Sequence, residues 1–145
     1  MNRSTVYDCS VIELNSFMSD RKGNLSVVEN GKTLPFDIKR VYYLYDVPGG
    51  VARGGHAHRS LYQLIIAVSG SFSVTLDDGH LKRTFLLNRP YKGLLVVPGL
   101  WRTIDDFSSG AICMVLASSE YDEDDYIRDY DSFIRLKDST FPNKA

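Results

Sequence analysis

Cysteine is scarce in this chain: Cys9 and Cys113 are the only two among 145 residues, and they lie far apart. Such a pair excludes a disulfide framework and a cysteine-based zinc site, and it favours the reducing environment of the cytoplasm. Long apolar runs are also missing, because residues 64–68 and 94–97 are far shorter than the roughly 20 residues of a membrane-spanning helix. The N-terminus carries no long apolar export signal. We therefore expect a cytoplasmic protein without a membrane anchor.

An excess of charge of either sign is absent as well. The chain has 17 Lys and Arg residues against 18 Asp and Glu residues, and no long basic stripe. This balance argues against non-specific nucleic-acid binding, so we expect a small molecule as the partner. A chain of this length has the size of one domain and can bury roughly two-thirds of its unfolded surface around one core. We expect a single domain over residues 1–145.

Short runs of apolar, β-branched and aromatic residues alternate with turn-forming residues along most of the chain. Their spacing of roughly 8–12 residues favours a β-sandwich or a β-barrel. Only residues 123–136 have the three-to-four spacing of an amphipathic helix, and the acidic residues 120–125 fit its solvated N-terminus. The predicted strands cover residues 11–14, 25–29, 38–45, 61–68, 71–76, 83–87, 94–97 and 111–116.

His56 and His58 are the most informative pair of residues. Their spacing places both side chains on one face of a β-strand. An imidazole is partly neutral near pH 7 and can be oriented by a neighbour, so the pair suits either metal binding or proton transfer. The spacing alone leaves both kinds of chemistry open.

The surrounding sequence resembles the cupins. Residues 54–58 (Gly-Gly-His-Ala-His), followed by Gln63 and Gly70, are similar to the first cupin motif, and residues 93–99 are similar to the second. Within the cupins, the chain resembles the sugar nucleotide 3,4-ketoisomerases, which include WxcM-like and FdtA-like proteins. The blocks that carry this likeness are residues 38–46, 53–58, 76–79, 98–101, 106–107, 115–118 and 126–130.

This resemblance implies an all-β, cupin-type double-stranded β-helix, or jelly roll, with a short C-terminal helix. It also implies an isomerase that converts dTDP-4-keto-6-deoxy-D-glucose to a dTDP-3-keto-6-deoxyhexose without a cofactor. Such products supply unusual deoxy and amino sugars to bacterial surface polysaccharides, including O-antigens. The family pairs two jelly rolls into a homodimer by exchanging N-terminal strands. The alternatives are a sugar nucleotide 3,5-epimerase and a cupin that binds a sugar nucleotide without catalysis.

A metal-binding cupin typically supplies two histidines and a glutamate from the first motif and a further histidine from the second. Here Gln63 stands at the glutamate position, and Trp101 and Arg102 lie near the second-motif histidine position. The loss of one carboxylate and one imidazole leaves too few ligands for a divalent ion. We therefore expect no metal, and we assign His56 and His58 to proton transfer.

The resemblance implies a base, an assisting tyrosine and a second histidine. We expect His56 to be the base, because the unperturbed histidine pKa of about 6.5 suits proton transfer at neutral pH. Tyr42 would assist it, and His58 would orient the substrate or carry protons between its oxygens. In an ideal strand Tyr43 and Tyr45 lie on the face opposite Tyr42, so only one of the two sets can face the interior.

Five further residues are expected at the substrate. Arg53 could bind a diphosphate through two parallel hydrogen bonds, although a surface ion pair would also explain it. Arg102 could border the sugar, and Gln63 is also expected at the substrate. Trp101 could form either a wall of the site or part of the core. Lys22 lies in an early turn, where it would reach the sugar or the phosphates or remain solvated.

Overall fold

The computed structural model describes residues 3–140, and it describes Thr140 by its backbone alone. The domain predicted over residues 1–145 extends beyond the described residues at both ends. Within them the chain forms a series of short strands and a single α-helix. The elements are β1 (Ser10–Glu13), β2 (Asn15–Phe17), β3 (Leu25–Val27), β4 (Arg40–Leu44), β5 (Arg53–His58), β6 (Gln63–Ser69), β7 (Phe72–Asp77), β8 (Lys82–Leu87), β9 (Lys92–Val96), β10 (Trp101–Asp105), β11 (Ile112–Ala117), β12 (Tyr126–Ile127) and α1 (Tyr130–Thr140).

Two five-stranded antiparallel sheets form the body of the fold. The first sheet has the order β1-β9-β6-β11-β4, and the second has the order β12-β5-β10-β7-β8. A separate hairpin pairs β2 with β3. Strands that are distant in sequence are neighbours in both sheets, as in a jelly roll. The prediction of an all-β jelly roll with a short C-terminal helix is confirmed.

The main core combines residues of both sheets. Alternate positions of β6, β9 and β11 in the first sheet pack with those of β7 and β10 in the second. The side chains on the other face of the first sheet are also apolar, and they pack against the segment that contains Leu34, Phe36 and Ile38. The first sheet is therefore apolar on both faces, and its outer face remains partly uncovered. The core residues between the sheets include Ile65, Ala67, Val74, Leu76, Leu94, Val96, Ile104, Cys113 and Val115.

Both cysteines are buried free thiols. Burial raises the pKa of Cys9 to about 11 and the pKa of Cys113 to about 12, so both remain protonated at neutral pH. In the part of the chain that the structure describes, no helix is long and apolar enough to span a membrane.

The helix predicted over residues 123–136 was wrong at its N-terminal end. Glu123–Asp125 form a 3-10 turn, and Tyr126–Ile127 form β12, which pairs with β5. The α-helix begins at Tyr130. The preceding residue, Asp129, accepts hydrogen bonds from the backbone N–H and the hydroxyl of Ser132 in the first turn. Ile127 is buried against β5, and this tertiary packing favours a strand over the helix that the local sequence pattern predicts.

Candidate active site

A cavity of about 360 Å³ opens where the edge strand β4 of the first sheet approaches β5, β10 and β12 of the second. Its volume is in the range of small-molecule sites. Aromatic and basic side chains dominate the lining, so the cavity suits an anionic ligand with an apolar or ring-shaped part. The lining residues are Arg40, Val41, Tyr42, Leu44, Arg53, Gly54, His56, Arg102, Tyr121, Tyr126 and Arg128.

The two histidines of β5 lie on one face of the strand, as their spacing predicts. His56 is 9% exposed and lines the cavity, whereas His58 is 2% exposed and does not line it. Their rings meet edge to face with centroids 4.8 Å apart, and the Tyr126 ring packs against both at 4.9 and 4.4 Å. The Nε2 atoms of both histidines are buried without a hydrogen-bond partner among the described residues. Neither nitrogen therefore has a partner, in the described part of the chain, that would fix whether it carries a proton.

Both imidazoles are neutral at physiological pH. Burial, followed by the positive charge of Arg102, lowers the pKa of His56 to about 2 and the pKa of His58 to about 3. The expected pKa near 6.5 for His56 was therefore wrong, because the sequence gives no measure of burial. His56 is therefore neutral at physiological pH and has a lone pair that can accept a proton.

These lowered pKa values predict a steep loss of stability in acid. Between about pH 6.5 and the folded-state pKa, the unfolded chain binds protons that the folded chain does not, so the free energy of unfolding falls as pH falls. Each histidine contributes up to about 1.4 kcal/mol per pH unit. Urea unfolding at several pH values between about 7 and about 5 should show a shallower dependence for His56→Asn than for the unaltered chain. Equal slopes would contradict the burial of a neutral His56.

Arg102 forms the centre of a buried hydrogen-bond network. It lies on β10 opposite His56 and is only 2% exposed. Its Nε donates to Oε1 of Gln63 at 3.0 Å, and its Nη2 donates to the Tyr42 hydroxyl oxygen at 2.8 Å. Gln63 thus holds Arg102 from behind, and Arg102 places a fixed positive charge beside His56 and Tyr42.

The residues of this network determine whether the site can bind a metal ion. A cation placed among His56, His58 and Gln63 would face the guanidinium of Arg102, which lies near the position where the second motif of metal-binding cupins has a histidine. No group of three or more His, Cys, Asp or Glu side chains could hold a metal ion within residues 3–140. The residues present therefore do not fit a cupin metal centre.

The structure determines which tyrosine of β4 reaches the cavity. Tyr42 lines it, whereas Tyr43 and Tyr45 are 59% and 62% exposed on the opposite face. Burial raises the pKa of Tyr42 despite the nearby charge of Arg102. Because the hydroxyl oxygen accepts from Arg102, its proton remains available for donation into the cavity.

The remaining predicted residues divide into two groups. Arg53 lines the cavity on β5, and Gln63 lies behind the lining, where it binds Arg102. Trp101 is not among the lining residues; it packs against Tyr130 with ring centroids 5.3 Å apart, as its core alternative predicts. Lys22 lies in the exposed turn between β2 and β3 and does not line the cavity of its own chain.

Sequence reasoning missed the wall that precedes α1. Glu123 binds Arg128 through two hydrogen bonds of 2.6 and 2.9 Å and also accepts one from Tyr121. The Arg128 guanidinium lies 4.2 Å above the centre of the Tyr126 ring. On the other side, Arg40 lies over the rings of Tyr42 and Tyr121 at 5.4 and 5.6 Å, and its Nε is buried without a partner in the described residues. The available signal was Arg128 between the two aromatic residues Tyr126 and Tyr130.

Asp125 was also missed, because the sequence assigned residues 120–125 to a solvated helix N-terminus. Its Oδ2 lies 2.8 Å from Nδ1 of His58, and its Oδ1 accepts the backbone N–H of Ser60 at 2.7 Å. Its carbonyl oxygen accepts the backbone N–H of Arg59 at 2.9 Å. The solvated interpretation was therefore wrong for Asp125, which belongs to the histidine pair.

Comparisons with known proteins identify relatives of this chain. The FdtA family, described as WxcM-like, C-terminal, matches residues 7–138. The TDP-4-oxo-6-deoxy-alpha-D-glucose-3,4-oxoisomerase of Aneurinibacillus thermoaerophilus is 48% identical over 114 residues, which cover 79% of this chain and 82% of the relative. The resemblance inferred from the sequence motifs is confirmed.

Two solved structures have the same fold. The 3,4-ketoisomerase of Helicobacter canadensis is 42% identical, with a TM-score of 0.87 and coverage of 90% of this chain and 98% of the other. A variant of the 3,4-ketoisomerase of Thermoanaerobacterium thermosaccharolyticum, solved in complex with TDP-4-keto-6-deoxyglucose, is 36% identical, with a TM-score of 0.90 and coverage of 94% and 99%.

Proposed function

The chain belongs to the FdtA family, and from that premise we propose that it is an isomerase, a 3,4-ketoisomerase of dTDP-4-keto-6-deoxy-D-glucose. The product is a dTDP-3-keto-6-deoxyhexose. The observation that carries the proposal is the neutral imidazole of His56, which faces a cavity beside the hydroxyl of Tyr42 and the guanidinium of Arg102. These are a base, a hydrogen-bond donor and a fixed positive charge.

The proposed reaction needs only proton transfers. His56 removes the proton from carbon-3, and the electron pair of that C–H bond forms a carbon-3 to carbon-4 double bond while the carbonyl oxygen at carbon-4 becomes negative. Tyr42 donates a hydrogen bond to that oxygen, and Arg102 stabilises its charge. The hydroxyl at carbon-3 then passes its proton to the negative oxygen at carbon-4 and becomes the new carbonyl, while His56 returns to carbon-4 the proton that it took from carbon-3. One C–H bond breaks and one forms, so no oxidant or reductant is required.

The charge on the enediolate also compensates the low proton affinity of His56. In the empty cavity an imidazolium would be disfavoured by burial and by Arg102. When His56 takes the proton, the negative oxygen forms in the same step, and the two charges stabilise each other. Burial and Arg102 therefore keep His56 in its basic form, and the negative intermediate stabilises its protonated form.

Basic residues at the cavity give the diphosphate a binding surface. We assign Arg53 to the diphosphate, together with Arg40 and Arg128, which also line the cavity. Arg102 borders the sugar through its contact with Tyr42, and Gln63 acts by holding Arg102.

The enzyme is proposed to work without a metal or another cofactor, and the test combines product analysis with chelation. The purified protein is incubated with dTDP-4-keto-6-deoxyglucose in deuterated water, and the product is followed by NMR. We expect a 3-keto product whose spectrum also gives the configuration at carbon-4, with the same rate after chelation. Deuterium at carbons 3 and 5 with the ketone still at carbon-4 would instead identify a 3,5-epimerase. Binding without exchange would identify a binding protein, and stoichiometric metal with chelator-sensitive activity would overturn metal independence.

A homodimer with exchanged N-terminal strands is proposed from the outer apolar face. This face, formed by the β2–β3 hairpin and β4, exposes Phe17, Met18, Leu25, Val41 and Tyr43. It borders a groove of about 680 Å³ whose lining is mostly apolar. A second copy of the chain is the proposed occupant, since exposed apolar patches of this kind mark interfaces. The hairpin that carries Lys22 would then contact the partner.

The dimer predicts a mass of twice 16.4 kDa in light scattering. Tyr43→Glu places a charge in the proposed interface and should shift the protein toward the monomer, because a buried unpaired charge is costly. Leu86→Glu is the matched control, since Leu86 is equally exposed on β8 of the other sheet. A monomeric unaltered chain, or equal dissociation by both variants, would contradict this interface.

We also place the enzyme in the cytoplasm, in a pathway to unusual deoxy or amino sugars of surface polysaccharides such as O-antigens. The free thiols of Cys9 and Cys113 suit a reducing compartment.

A further inference from the structure

Asp125 makes three hydrogen bonds that connect it to the end of β5. Its Oδ2 pairs with Nδ1 of His58 at 2.8 Å, and its Oδ1 accepts the N–H of Ser60 at 2.7 Å. Its main-chain oxygen accepts the N–H of Arg59 at 2.9 Å. The hydrogen bonds from Arg59 and Ser60 fix the position of Asp125, so its carboxylate can hold the His58 ring in one orientation.

The chemistry of a carboxylate determines which His58 nitrogen carries the proton. An ionised carboxylate only accepts hydrogen bonds, so Nδ1 of His58 must donate. A neutral imidazole has one N–H, so Nε2 then carries a lone pair. Nε2 is buried and has no hydrogen-bond partner in the described part of the chain, so nothing there opposes this tautomer.

We propose that Asp125 is a positioning residue that holds His58 in the Nδ1-protonated form and, through the His58 ring, fixes the orientation of His56. The edge-to-face contact of the two rings, with centroids 4.8 Å apart, is the means by which the orientation passes from one to the other. The Tyr126 ring, directly after Asp125, packs against both imidazoles and closes the cluster. This inference rests on the proposed function, in which His56 is the base.

Asp125→Asn is the decisive variant. Because the N–H of Ser60 needs an oxygen, the new amide must turn its oxygen toward Ser60 and its NH₂ toward Nδ1 of His58. Nδ1 then has to accept, and the proton of His58 moves to Nε2. We expect kcat to fall about 10- to 100-fold, with a much smaller change in KM, as for other residues that orient a functional histidine.

The control and the second measurement separate positioning from simple structural support. Asp124 is the preceding residue, and its side chain is exposed. Asp124→Asn removes the same charge as Asp125→Asn, and this control variant should retain the kcat of the unaltered enzyme. Nitrogen NMR of the histidines reads the tautomer directly, and it should show an Nδ1–H form of His58 in the unaltered chain and an Nε2–H form in Asp125→Asn.

Three outcomes would overturn the inference: an Nε2–H form of His58 in the unaltered chain, an Asp125→Asn variant with unchanged kcat, or equal losses in Asp124→Asn. The NMR measurement on the unaltered chain needs neither substrate nor a folded variant. It therefore tests Asp125 even if Asp125→Asn does not fold. Failure of the unaltered protein to form a 3-keto product would instead count against the proposed function.

Discussion

Replacing His56 by asparagine should abolish isomerisation while nucleotide-sugar binding stays within a few fold of that of the unaltered chain. Asparagine is neutral, as His56 is in the empty site, so the charge that the ligand meets is unchanged. It cannot take a proton from carbon-3, and loss of a general base costs roughly 100- to 10,000-fold in rate. The rate is measured as deuterium exchange at carbon-3 by NMR, and binding is measured by calorimetry.

The matched control is His80→Asn, which removes an imidazole from an exposed turn outside the cavity. It should leave both exchange and binding as they are. Exchange at the normal rate in His56→Asn would remove His56 from its role as the base. Loss of exchange together with loss of binding would assign His56 to ligand binding instead.

Replacing Gly54 by alanine should reduce activity about 100-fold, because it displaces Arg102. Gly54 has a φ of +73°, and a Cβ there would lie 2.5 Å from Nη1 of Arg102. That guanidinium is bound to both Gln63 and Tyr42, so it can move only by breaking these hydrogen bonds. A displacement of about 1 Å among catalytic groups can cost roughly 100-fold in rate. The effect is measured as kcat.

Gly50→Ala is the matched control for this variant. Gly50 has a φ of +83°, so an alanine there has similar backbone strain, but its Cβ would meet no atom within 4 Å. Urea unfolding should show a loss of about 1–2 kcal/mol in Gly50→Ala through the left-handed backbone. The loss in Gly54→Ala should be larger, because the buried hydrogen bonds of Arg102 are also broken. Only Gly54→Ala should lose activity. Equal activity in the two variants would show that the position of Arg102 does not matter for catalysis.

Much of the fold was predictable because strand patterns are local. The alternation in residues 38–45 predicts that Tyr42 and Tyr43 lie on opposite faces, and the structure places Tyr42 in the cavity and Tyr43 outside. The spacing of His56 and His58 likewise predicts their shared face. In both cases the period of the strand determines the result, and it can be counted in the sequence.

The parts that escaped prediction depend on contacts between distant residues. Strand β10, which carries Arg102, contains Arg, Thr and Asp among its five residues and so lacks an apolar run. Asp125 lies 67 positions from its partner His58. Its acidic neighbours have the composition of a solvated surface. Asp125 differs from these neighbours only because β12, which follows it, pairs with β5. A two-residue strand is too short to show a periodic pattern, so the sequence does not reveal this pairing.

The brevity of β12 has a dynamic consequence. Two residues pair it with β5, and one further backbone hydrogen bond, from Arg59 to Asp125, extends the pairing. Opening this edge costs these hydrogen bonds and the packing of Tyr126 and Ile127, which is less than unfolding the sheets that it borders. We therefore expect water to reach the buried ring of His58 through local opening at this edge rather than through global unfolding.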